Sequence, residues 1–324
     1  PEEMTARALP SSVRVGAKVF IWGGYQFPDF NSESDDATWL IDLDGAIEPK
    51  KLDYSSPPIR YGAPATIFKK THALIYGGVK FPDYHLFNDL WVLDTSQNIG
   101  WTQAKATSFF EDQTAEKLFT MAGHSMVTVN FKNGTELILC FGGYVDDAGF
   151  VSLTVEFVPH EERIDQFFFR YPETLGFRVP GSYGHVSVVD PENPSNVYLY
   201  GGFQNNNVRN ELVLYDATTR IFTQLRTAES AARRWLHAGG IVGRHLIFLS
   251  GNSHTDTSHS SGTLCYSDEI LLYSIECGKW TTIQSSEKWF PRYGSASISL
   301  EDKVMLIGGY DGELKNEIIT FKPS

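Results

Sequence analysis

Three sets of side chains stand at spacings that suggest chemistry. Arg60, Arg234 and Arg292 each open a segment of one type, RYGAPATI (60–67), RWLHAGGIV (234–242) and RYGSASIS (292–299). A guanidinium is a planar fork of donors that grips a carboxylate or phosphate through two parallel hydrogen bonds. The same fork suits a salt bridge between neighbouring structural units, and both readings stand. His124, His185 and His237 hold equivalent places in MAGHSMVTV (121–129), SYGHVSVV (182–189) and RWLHAGGIV. A residue tied to a repeat is normally part of its packing. The structural expectation is an imidazole bonded to a neighbouring unit's backbone, and the sharper alternative is a metal or catalytic centre on a shared axis. His254, His259, Cys265 and Cys277 have zinc-ligand chemistry, but their spacing matches no compact zinc motif. Two reduced thiols are the plain alternative there. Cys140 lies inside an apolar run and reads as a small buried hydrophobe.

Aromatic residues form the third set. Tyr25 and Phe27, Phe81 and Tyr84, Tyr144, Phe203 and Tyr310 all follow a diglycine or its equivalent, and Trp235 joins them from a second loop class. Amphipathic aromatics beside arginine are the residue types enriched at binding hot spots. YQFPDF (25–30) and VKFPDY (79–84) are near-repeats, which makes this pair the first choice for a contact patch. No G-x-S-x-G elbow, H-E-x-x-H pair or phosphate loop occurs, so no catalytic residue, metal or cofactor is assigned.

The elements that must hold these residues follow from a repeat. An apolar strand ends in two glycines at VFIWGG (19–24), ALIYGG (73–78), ILCFGG (138–143), VYLYGG (197–202) and VMLIGG (304–309), with a degenerate copy, IFLSGN (247–252). The second glycine or its equivalent falls at 24, 78, 143, 202, 251 and 309, steps of 49 to 65 residues. Without Cβ the chain can take positive φ there and turn sharply. The arginine- and histidine-bearing segments lie before each diglycine. A third strand follows it, for example NDLWVLD (88–94), and in most units an aromatic-marked fourth, such as KWTTI (279–283). Apolar residues alternate at period two or run on continuously, never at helical spacing. Each unit thus reads as four short strands, one blade of a propeller.

Composition narrows the partners. Acids outnumber bases by 39 to 27, a formal net charge of −12. Binding to nucleic-acid phosphates needs concentrated Lys and Arg, so nucleic acid is excluded as a general partner and an anionic membrane surface is disfavoured. No apolar run approaches the roughly 20 residues that cross a bilayer. The first residues, PEEMTARALP, lack the pattern of a signal peptide.

The repeat resembles the kelch family over essentially the whole chain. The segment GNSHTDTSHSSGTLCYSDEILLYSIECGKW (251–280), with RRWLHAGGIVGRHLIFLSGN (233–252) before it, resembles the fifth blade of the attractin family, which includes attractin-like and multiple-EGF-domain proteins. The resemblance implies an all-β fold, a six-bladed kelch β-propeller with four-stranded antiparallel blades. The expected blades cover about 7–57, 58–106, 120–173, 180–226, 231–284 and 290–324, with closure by residues 1–6. It implies a non-catalytic extracellular module, cut from a larger secreted or single-pass membrane protein. Its partner is expected to be a cell-surface receptor or matrix protein, or a glycan. With the resemblance, Cys265 and Cys277 read as a disulfide. Asn133 opens the sequon Asn-Gly-Thr in an expected hairpin tip. Two rivals remain: an intracellular adaptor presenting substrates to a ubiquitin ligase, and a glycan-acting propeller enzyme. Residues 105–119 are expected to hold a short helical turn, and blade three departs from the pattern at VPHEER (158–163).

Overall fold

The structure, a computed structural model, describes all residues except 1–2, 27–34, 46, 54, 97–99, 110–116, 228–230, 255–266, 285–290 and 324. Among the described residues there is no helix. Six antiparallel meanders follow one another. The first has strands Ser11–Val15, Lys18–Trp22, Thr38–Asp42 and Lys50–Leu52, and the second Ala65–Phe68, His72–Tyr76, Leu90–Asp94 and Gly100–Ser108. The third has Ser125–Asn130, Glu136–Phe141, Thr154–Pro159 and Gln166–Arg170. The fourth has Val186–Val189, Asn196–Tyr200, Leu212–Asp216 and Ile221–Gln224. The fifth has Ala238–Val242, His245–Leu249, Glu269–Ser274 and Lys279–Gln284; the sixth has Ala296–Ser299, Val304–Ile307 and Ile318–Phe321.

Apolar side chains alternate to both faces of each meander, so each must be covered by a neighbour on either side. Six buried clusters result, one at each junction. Phe20 of the first meander meets Ala73 and Leu93 of the second, Tyr76 meets Cys140 and Phe157, and Leu139 meets Val213 and Tyr215. Tyr200 then meets Phe248, Leu249 meets Leu306, and Met305 and Ile307 return to Val19, Ile21 and Trp39. Burying a side chain of this size contributes about 1.5–3 kcal/mol. Cys140 is fully buried in the second of these clusters, as its sequence context implied.

Two sets of backbone hydrogen bonds lock the meanders together. In the first, the N–H of the second glycine donates to the carbonyl that enters the next meander. The bonds run from Gly24 to Arg60, Gly78 to Met121, Gly143 to Ser182, Gly202 to Arg234, Gly251 to Arg292 and Gly309 to Arg7, at 2.7–2.9 Å. The second set is a ring about the axis. Gly62 donates to Leu9, Gly123 to Gly62, Gly184 to Gly123, Leu236 to Gly184, Gly294 to Leu236 and Leu9 to Gly294. All six ring residues have φ between 50° and 67°. Glycine is the natural choice in that region, and a leucine costs about 1–2 kcal/mol. The two leucines recover apolar contact by covering their neighbours, Leu9 over Gly294 and Leu236 over Gly184.

The diglycine has a specific cause. The first glycine takes φ of 62–71° and lies against the incoming carbonyl of the next meander. A Cβ on Gly23 would stand 2.6 Å from the Arg60 oxygen, and one on Gly142 2.7 Å from the Ser182 oxygen. In the fifth meander Ser250 occupies this place at φ 59°. It keeps a buried hydroxyl with no hydrogen-bond partner among the described residues.

The histidines fill the same junctions. His124, His185 and His237 are buried and lay Cε1 within 2.8–3.2 Å of the place a Cβ would take on Gly77, Gly142 and Gly201 of the preceding meander. The expectation of a bond to the neighbouring backbone is corrected: both ring nitrogens of His124 and His237 lack a hydrogen-bond partner among the described residues. His185 Nε2 shares a 2.8 Å bond with Ser125 Oγ of the previous meander. Burial holds His124 down to about 3 and His185 to about 4, and His237 well below its usual value. They are therefore neutral packing groups.

Three features depart from six equal four-stranded sheets. Gly100–Ser108 pairs in parallel with Gln166–Arg170, joining the second and third meanders into one eight-stranded sheet. That pairing carries strand through Lys105–Ser108, where a helical turn was expected. Leu175–Gly176 pairs in parallel outside the fourth meander. In the sixth, Ile318–Phe321 is the outermost strand among the described residues. Residues 3–6 form no strand; Met4 enters the core between the last and first meanders, and Arg7 N–H donates to Lys315. At the outer edge Glu156 is fully buried and accepts from Arg170 Nε at 2.5 Å and Arg220 Nε at 2.8 Å, tying the third meander to the fourth. Such a pair carries a desolvation cost that the doubled hydrogen bonding offsets.

Two outcomes follow. Gly142→Ala should lower stability by about 1–3 kcal/mol, while Ser250→Gly, which removes both a left-handed side chain and an unsatisfied hydroxyl, should raise it by about 1 kcal/mol. Denaturant midpoints at constant slope check the pair. The second outcome concerns pH. Between about pH 7 and 5 the unfolded chain protonates His124, His185 and His237, at an ordinary 6.5, whereas the folded chain keeps these three neutral. Stability should therefore fall as pH falls, by up to about 1.4 kcal/mol per pH unit for each of these histidines. His237→Asn should flatten that slope in urea titrations at stepped pH.

Candidate functional site: the aromatic loop face

The residue entering each meander pairs with the residue after its diglycine. Ala8 bridges to Tyr25, Tyr61 to Val79, Ala122 to Tyr144, Tyr183 to Phe203, Trp235 to Asn252 and Tyr293 to Tyr310. Repeated about the axis, these bridges turn alternate side chains toward one face. Two aromatic chains line it. Tyr25 meets Tyr61 edge-on at 5.6 Å between ring centroids and Phe81 at 5.3 Å, and Phe81 meets Tyr84 at 5.6 Å. On the far side Tyr144 contacts Phe150, Phe150 contacts Phe203, and Phe203 stacks on Trp235 at 4.8 Å. Tyr293 and Tyr310 pair at 5.4 Å.

The sequence expectations divide on this face. Tyr25, Phe81, Tyr84, Tyr144 and Tyr310 are brought together there with exposed or half-exposed rings, and Tyr84 is 62% exposed. Phe203 and Trp235 support the face from below, each 8% exposed. Phe27 lies outside the described residues. Tyr61, Tyr183, Tyr293 and Phe150 were missed. The signal for the three tyrosines was present in RYG, SYG and RYG, beside the arginines that drew attention first. Burial, and after it neighbouring phenols, pushes Tyr61 and Tyr293 up to about 12 and raises Tyr25 and Tyr183. The phenols are thus neutral hydroxyls at physiological pH.

The arginines are a correction. Arg60, Arg234 and Arg292 are 0–2% exposed and serve their own meanders as internal staples. Arg60 Nη1 donates to the Gly77 carbonyl at 3.1 Å, and its fork grips Asp89. Arg292 donates to Gly308 at 3.3 Å and to Glu317 at 2.9 Å; Arg234 donates to Ser250 at 3.3 Å and faces Glu269 at 3.5 Å. These hydrogen bonds and ion pairs stay within each meander, Arg60 in addition lies 5.9 Å over the Trp22 ring of the preceding one, and none of the three presents an exposed fork to a ligand. Arg7, which sequence reading passed over, completes the set through Gly23 at 2.9 Å and Asp35 at 2.7 Å. Where the arginine is absent the acid is either lost or paired with another cation. Met121 goes with Leu153, and in the fourth meander Ser182 goes with Glu211, which Arg209 neutralises at 2.6 Å. A cavity of about 30 Å³, lined by Phe141, Thr154, Ser182, Gly201 and Glu211, remains there, room enough for ordered water.

Among the described residues no three His, Cys, Asp or Glu side chains gather as metal ligands. His259 and Cys265 lie outside the described residues, so neither the zinc set nor the disulfide with Cys277 is represented; Cys277 itself is exposed. Asn133 stands exposed in the hairpin between Ser125–Asn130 and Glu136–Phe141, at the end of the strands opposite the diglycines.

Comparison with known proteins follows the same architecture. A 324-residue alignment relates the chain at 24% identity to the putative protein tag-53 of Caenorhabditis elegans, over 90% of this chain and 22% of that protein. Multiple epidermal growth factor-like domains protein 8 of Rattus norvegicus is 28% identical over 198 residues, 59% of this chain and 6% of the relative. The chain thus spans about a fifth or less of these relatives. The solved structure of YjhT superposes with TM-score 0.69 at 16% identity, over 99% of this chain and 96% of that one, a likeness of fold. Residues 19–319 match the family described as the Attractin/LZTR1 beta-propeller, and the chain belongs to that family.

Proposed function

We propose that this propeller is a non-catalytic interaction module of an extracellular protein, and that its aromatic loop face binds a partner protein. The carrying observation is the two chains of aromatic rings on that face, one of them running from Tyr61 through Tyr25 and Phe81 to Tyr84 at 62% exposure. Rigid aromatics lose little conformational freedom on binding and supply large contact area, the properties of hot-spot residues. The attractin-type family and the relatives named for epidermal growth factor-like domains support the reading. An extracellular setting agrees with a sequon exposed on the face away from the aromatic rings, where a glycan leaves them uncovered. In an oxidising compartment Cys277 would pair with Cys265.

Two measurements test this. Tyr84→Ala and Phe81→Ala should each weaken capture of the natural surface partner by about tenfold or more, with the melting temperature of Tyr84→Ala unchanged; full retention of binding by both would remove the face from the reading. Secreted from animal cells, the chain should lose mass with a glycosidase at Asn133 and show no free Cys265 or Cys277 thiol. Free thiols and an unmodified Asn133 would favour the intracellular adaptor.

A further inference from the structure

The tyrosines do more than border the face. Tyr183 lies across the axis: its ring covers Gly123, and its hydroxyl comes within 3.6 Å of the place a Cβ would take on Gly62. Tyr25 and Tyr61, and Tyr293 and Tyr310, meet in pairs around it. The phenol oxygens are near enough to influence one another, Tyr25 with Tyr84 and Tyr310, Tyr183 with Tyr61 and Tyr293. Leu9 and Leu236 pack into the apolar layer beneath. The mouth of the axis is therefore a bowl of neutral phenols over an apolar floor.

Charge around the bowl has one dominant sign. Asp36, Asp146 and Asp147 are exposed on the loops that surround it, beside Asp83 and Glu313, which pair with Lys80 and Lys315 at 3.6 Å. Of the bases, Lys315 also pairs with Asp311 at 3.1 Å and Lys80 with Asp83 at 3.6 Å, while Arg233 hydrogen-bonds the neutral Asn207 at 3.2 Å and keeps its charge. The π faces of tyrosines attract a cation and repel a carboxylate. The acidic rim adds long-range attraction of the same sense, and the whole chain carries −12.

We propose that the tyrosine bowl at the axial mouth receives a cationic side chain, a lysine or arginine presented by the partner protein. This rests on the loop face being the binding face and specifies the chemistry of what it binds. A backbone segment would lie across the aromatic rings while its charged side chain descends between Tyr61, Tyr183 and Tyr293. The rim acids would raise the rate of encounter, and the phenols would set selectivity for charge over shape.

The test uses the whole chain and three short capped peptides alternating glycine with lysine, glutamate or serine, followed by calorimetry at low and physiological salt. The lysine peptide should bind, more weakly as salt rises, and at least about tenfold tighter than the other two. Tyr61→Phe and Tyr84→Phe, which keep the π faces, should retain that binding. Tyr61→Leu and Tyr84→Leu should lose about tenfold, with melting curves confirming the fold; Tyr84 is exposed enough that its replacement leaves the core alone. Equal binding of all three peptides, no binding of any, or equal effects of the Phe and Leu variants would overturn the proposal. If the charge test fails while Tyr84→Ala still abolishes capture of the natural partner, the face binds by another chemistry. If both fail, the binding face itself is wrong.

Discussion

The fold depends on one short contact, the N–H of a glycine meeting the carbonyl that enters the next sheet. Each such bond joins the end of one meander's second strand to the beginning of the following meander. It requires two backbones to approach with no side chain between them. That demand explains the first glycine of the pair, the left-handed φ, and the flat imidazole laid over three of the junctions. Once six such contacts close, the axial ring of hydrogen bonds fixes the positions from which the face-forming residues project. The apolar clusters contribute most of the stabilisation, but they do so between any two well-matched sheets. The glycine contact sets angle and order.

The division of labour between arginine and tyrosine follows from the same geometry. At RYG the arginine turns inward, beneath the diglycine, satisfies a buried carbonyl, and has its own buried charge matched by an acid that reaches toward solvent. The next residue must then point outward, because side chains alternate along a strand. Charge is consumed in holding each meander together, and the exposed loop face is left aromatic, neutral at its centre and acidic at its margin. The covariation of Met121 with Leu153, and of Ser182 with Arg209, shows that the acid is kept only where a cation can reach it.

Much of this was legible in the sequence. The diglycine period located the second strands, and period-two patterning gave the sheets their neighbours, because both express local rules. The fate of the arginines was not legible, since a repeated Arg at a loop reads identically whether it faces a ligand or the interior. Direction there is decided by Asp89, Glu269 and Glu317, which lie 25 to 35 residues away in sequence. The parallel pairing of Gly100–Ser108 with Gln166–Arg170 was invisible for a similar reason: it joins edges of two repeats and belongs to neither. The tyrosines at 61, 183 and 293 stand in RYG, SYG and RYG, and their outward direction follows only once the residue before each is known to turn inward.

The axial ring also carries a statement about time. Its final link joins Leu9 to Gly294, residues separated by most of the chain. Local meanders can form as they leave the ribosome, but this link must wait until the last sheet exists. The first meander of the propeller to be synthesised is thus the last to be secured. Until then one face of the first sheet, with Val19, Ile21 and Trp39, has no cover. Chaperone attention during biogenesis should concentrate there, at the seam where the first meander waits for the sixth.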